Sequence, residues 1–72
     1  MSASEALGHQ ARDYVDLAQA AIDMAIAGGG DQKKIDRALK EMDKAADERA
    51  KGHSHHAIDH YKKAWAHAVK AL

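Results

Sequence analysis

Apolar residues recur along this chain with the period of a helix. Ala57, Ile58, Tyr61, Ala64, Trp65, Ala68, Val69 and Leu72 follow the i, i+1, i+4, i+7, i+8 spacing of a single helix face. Leu7, Ala11, Tyr14, Ala18, Ala21, Ile22, Ala25 and Ile26 make a second stripe, and Ile35, Leu39, Met42 and Ala46 a narrower third. No stretch alternates apolar and polar residues as a half-buried strand would. Two breaks separate the stripes. Gly28-Gly29-Gly30 stops the first helix, and Asp31 is a good cap for the next. Gly52 follows Ala50-Lys51 as the residue just past a helix end, Ser54 can cap the third helix, and Ser2 with Glu5 reads as a capping box at the front. The pattern predicts an all-α fold with helices near 3–27, 32–51 and 55–71. Such short connections force antiparallel neighbours, so the expected architecture is a three-helix bundle, or half of a larger bundle made by two chains.

A seven-residue alanine repeat runs beneath the stripes: Ala11, Ala18 and Ala25, then Ala38 and Ala45, then Ala57, Ala64 and Ala71. Small residues at a heptad position let helices approach closely. They also make a thin core. Of the 72 residues 17 are Ala and only 13 are Val, Ile, Leu or Met, so a single domain has little apolar volume to bury. A core of this size supplies no more than ~3–5 kcal/mol, which leaves room for a ligand, a metal or a second chain to add to stability. Leu17 and Met24 stand off the centre of the first stripe, with Ile22 and Ile26 on its other flank. Apolar coverage that wide predicts a weak homodimer through helix 1.

Charge narrows the partners. Eleven Lys and Arg balance eleven Asp and Glu, for a formal net charge of zero. A nucleic-acid partner needs a basic face and an anionic membrane surface needs a basic patch, so neither is expected. No run reaches the ~18 apolar residues of a membrane span. Met1-Ser2-Ala3-Ser4-Glu5 has no basic region leading into an apolar stretch, so no signal peptide is expected in the chain as written, and a mature exported domain would look the same. With no Cys, disulfides, zinc-thiolate sites and thiol catalysis are excluded. No H-E-x-x-H, phosphate-cradling Gly loop or nucleophile elbow occurs, and the expectation is a protein that is not an enzyme.

Histidine carries the chemistry. Of six His, five lie close together: His53, His55, His56, His60 and His67. At 100° per residue, His53, His56, His60 and His67 fall within an arc of about 60° beside the apolar stripe. His56 and His60 are i, i+4 neighbours, so both imidazoles can reach one ion, with His53 or His55 bending in from the loop. His67 lies roughly 10 Å beyond His60, too far to share that ion. The positive end of the helix dipole disfavours imidazolium at His55 and His56, and neutral imidazole is the form that binds metal. Imidazole with carboxylate, in a chain without thiolates, suits Cu(II), Ni(II) or Zn(II). Helix 2 offers Glu48 and Glu41, and a hairpin turning near residue 53 would set Glu48 level with His60 and Glu41 level with His67. Ordinary surface Glu–His or Glu–Lys pairing, worth under ~1 kcal/mol, explains the same residues without a metal.

Ala57-Ile58-Asp59-His60 and, after three residues, Ala64-Trp65-Ala66-His67 give the pattern A-φ-x-H-x3-A-φ-x-H. That resembles the repeat of the bacterial small metal-binding protein family, His-rich helical bundles of the periplasm that bind copper and other divalent metals. The resemblance covers about residues 53–71. It implies His56, His60 and His67 as ligands and an exported location, although helices 1 and 2 carry Glu, Ala or Tyr where that family places further His. The segment from Gly52 to Ala64 is also similar to the middle of a tetratricopeptide repeat, which implies an interaction module. Two functions therefore stand. One is a small metal-binding protein that buffers, scavenges or delivers copper, nickel or zinc. The other is a non-catalytic interaction or spacer domain with surface histidines.

Overall fold

The computed structural model describes the backbone of residues 3–72 and the side chains of residues 12–72. Its elements are α1 (Ala3–Ala27), α2 (Gln32–Ala50) and α3 (Ser54–Ala71), within one residue of the boundaries expected from the sequence. The Ser2–Glu5 capping box, Leu7 and Ala11 lie outside the described side chains.

Both connections are Schellman turns, which need a left-handed residue just past the helix end. Gly29 (φ 69°) and Gly52 (φ 82°) supply it. At the first turn the Gly30 N–H donates to the Ala25 carbonyl and the Gly29 N–H to that of Ile26. At the second, the His53 N–H donates to the Glu48 carbonyl (2.8 Å) and the Gly52 N–H to that of Arg49. Asp31 caps α2 as expected, its carboxylate accepting from the Lys33 and Lys34 N–H groups. Ser54 does not cap α3. The tight turn feeds the chain straight into the helix, His53 takes the cap position, and no side chain bonds to the first turn.

α3 packs along both other helices, while α1 and α2 touch little. Three layers of contact fix the directions. Ala25, Ile35 and Ala71 meet at one end, and Ala21, Ile22, Ala38 and Ala68 meet in the middle. Ala45, Ala57, Ile58 and Tyr61 close the other end, flanked by Tyr14, Val15 and Met42. α1 and α3 are thus parallel, with α2 antiparallel to both, in an all-α three-helix bundle. The assembly is slender, 41 × 18 × 13 Å.

Every described member of the alanine repeat is buried, from Ala18 to Ala71. Alanines at the seam narrow the strip that each helix can hide, and this corrects three of the expected stripes. Trp65, Val69 and Leu72 of α3 and Ile26 of α1 are exposed rather than core. On α2 the buried face is Ile35, Ala38 and Ala45, with Leu39 and Ala46 turned outward, because the alanines and not the larger residues face α3. Ile22 is the one large side chain among those described that is fully buried.

Gly30 lets the α1–α2 turn close onto the C-terminal end of α3 at one end of the bundle. The neighbouring Asp31 N–H donates to the Ala71 carbonyl at 3.1 Å, so the α1–α2 turn holds the C-terminal end of α3. A Cβ at residue 30 would run into that same carbonyl.

Candidate metal centre

The Schellman turn after α2 builds the site. Its defining bond, from the His53 N–H to the Glu48 carbonyl, brings residue 53 back over residue 48. The side chains follow: His53 Nδ1–H donates to Glu48 Oε2 at 2.7 Å. One turn into α3, His56 places its Nδ1 3.4 Å from the same oxygen. The two imidazoles meet edge to face, with ring centroids 5.6 Å apart. Glu48, His53 and His56 each offer one donor atom, and the three lie within 4.8 Å of one another. Donors around a four-coordinate ion at ~2.0–2.2 Å stand roughly 3.3–3.5 Å apart, so small side-chain rotations bring these three into ligand range.

The cluster is open. The His53 and His56 side chains are 54% and 69% exposed, and Glu48 is 22% exposed. Three protein ligands on that surface would leave the remaining coordination positions to water. The hydrogen bond from His53 holds the Glu48 carboxyl below its usual range against a smaller burial effect, and the charges of His53, Lys51 and His56 add to that lowering. Glu48 therefore stays an anion, the form a cation needs.

His60 belongs to a different pair. Its Nδ1–H donates to Glu41 Oε2 at 2.6 Å, and both side chains are largely covered, 23% and 14% exposed. Burial alone would raise the Glu41 pKa. The His60 hydrogen bond, with the charges of Lys44, His60 and Lys63, outweighs it and holds the carboxyl below its ordinary value. Lys44 Nζ sits 3.6 Å from the other carboxylate oxygen.

The sequence register was one heptad off. Glu48 meets His53 and His56 rather than His60, and Glu41 meets His60 rather than His67. The reason is the compactness of the Gly52 turn, which centres the hairpin near residues 51–52 and slides α3 back along α2. Seven residues further, the same register sets Lys34 at the level of His67, and Lys34 Nζ reaches the Lys70 carbonyl at 3.5 Å. His56 and His60 are thus committed to different glutamates. His55 is exposed and His67 half-buried, and both stand outside the three-residue cluster. Reading Gly52 as C′ foresees the backbone bond from His53 to Glu48, and a side-chain contact between C″ and C3 frequently accompanies that bond.

No family model matches the chain, and comparisons with curated proteins and with solved structures give no significant match. Among the described residues, no helix is long and apolar enough to cross a membrane.

Proposed function

We propose that this protein binds one divalent transition-metal ion, Cu(II), Ni(II) or Zn(II), through Glu48, His53 and His56. The observation that supports it is the convergence of one carboxylate and two imidazole donors within 4.8 Å at the α2–α3 turn. Two of the three ligands come from the turn and first helical turn of α3, and the third from the last turn of α2, so binding staples the hairpin. The similarity of residues 53–71 to small metal-binding proteins supports metal binding in general, sharing only His56 with this site, and suggests buffering, scavenging or delivery.

Calorimetric titration of the metal-free chain tests it. The expected result is one ion per chain, lost in the H53A/H56A double variant and retained in H60A. Equal binding in wild type and H53A/H56A would refute the site. A second reading, a helical interaction module, is favoured by the exposed apolar side chains of α1 and α3.

A further inference from the structure

Among the described residues, the face of the bundle opposite His53, His56, His60 and His67 is apolar and uncovered. Leu17 and Met24 lie one heptad apart on α1, and Trp65, Val69 and Leu72 follow i, i+4, i+7 on α3. Leu17 and Trp65 wall one shallow apolar groove of about 130 Å³ with Tyr14 and Lys62. Met24 stands at the level of Val69 and Leu72, because its neighbour Ala25 packs on Ala71. The five side chains are between 40% and 64% exposed, and Lys62 borders the groove between Leu17 and Trp65. Together they offer on the order of 500 Å² of contiguous apolar surface, in the range at which monomers carry a functional patch.

We propose that this seam binds a second copy of the chain. Doubled, the patch gives roughly 1,000 Å² of apolar contact, which with its polar rim reaches the lower bound of a specific interface. A two-fold contact needs a surface that carries both projections and a recess. This one does: Met24 and Leu72 project, 62% and 64% exposed, while the groove beside Trp65 receives. The net charge of zero sets no long-range repulsion between copies. A wholly buried Ile22 removes one flank residue from the dimer face expected from sequence, and Ile26 alone stays exposed there. The interface therefore lies on the Leu17–Met24 side and is shared by α1 and α3.

Sedimentation of the full chain with a chelator present, from about 10 μM to 1 mM, separates this from any metal-bridged pairing. A patch at the lower bound of interface size predicts a reversible, concentration-dependent monomer–dimer equilibrium within that range. Trp65, the one tryptophan, should shift its emission to the blue over the same concentrations. M24E should weaken association at least tenfold with helix content unchanged, while I26E on the opposite flank should not. A chain monomeric up to 1 mM overturns the proposal. So does a dimer insensitive to M24E, or one dissociated equally by I26E. None of these results depends on whether Glu48, His53 and His56 hold an ion.

Discussion

Replacing His60 should destabilise the fold far more than replacing His53, because the two imidazoles hold different carboxylates under different cover. The His60–Glu41 bond is 2.6 Å long between side chains that are less than a quarter exposed. A hydrogen bond to a charged group contributes roughly 1.5–3 kcal/mol, and removing one partner leaves the other to be desolvated alone. H60A leaves the Glu41 carboxylate with Lys44 at 3.6 Å as partial compensation. The net loss is then about 1–2 kcal/mol. In a domain of this size each kcal/mol moves Tm by about 4–8 °C, so H60A should melt roughly 5–15 °C below wild type. H53A removes a bond of similar length at a water-exposed turn and should change Tm little. Thermal unfolding followed by circular dichroism at pH 7, with a chelator present, measures both. The division of the histidines into a packed pair and an open site is wrong if H53A proves as damaging as H60A.

The carboxylates and the first turn carry further expectations. The Glu41 and Glu48 carboxyls have lowered folded pKa values, so their stabilisation is present above the ordinary value of 4.5 and lost as pH falls below it. Stability should therefore decline from about pH 5 downward, and E41Q should flatten that acid limb; an unchanged slope in E41Q would remove Glu41 from the explanation. G30A must push a Cβ against the Ala71 carbonyl and strain the Asp31–Ala71 bond, at a cost of about 1–3 kcal/mol, read as a lowered urea midpoint. A G30A chain as stable as wild type would show that the turn is free of α3.

The helices were legible because their signals are local. Gly29, Gly52 and Asp31 act through the backbone within a few residues of themselves, and the structure places all three as the sequence implied. The alanine heptads were legible for the same reason, and every described member is buried. What the helical wheel could not show is how wide a strip each neighbour covers. Trp65, Val69 and Leu72 match the period of α3 yet face outward, because alanine seams bring the helices together along a narrow line. The pairing of Glu with His was misplaced by a heptad for a related reason. Levels across a hairpin depend on where its turn is centred, and an error of a few residues there is doubled along the opposing helix. The cluster itself needed no long-range inference, since the Gly52 turn alone brings His53 onto Glu48.

Metal binding at Glu48, His53 and His56 is tested most directly by isothermal titration calorimetry of the chelator-stripped chain at pH 7 with Cu(II), Ni(II) and Zn(II). The account predicts saturable binding of one ion per chain for at least one of the three. That heat should vanish in H53A/H56A and persist in H60A. An ion held a hundredfold above its Kd adds ~2.7 kcal/mol to folding, so the same metal should raise Tm by roughly 10 °C or more. No heat from any of the three ions, or undiminished binding in H53A/H56A, would contradict the account and leave the histidines as surface residues of an interaction domain.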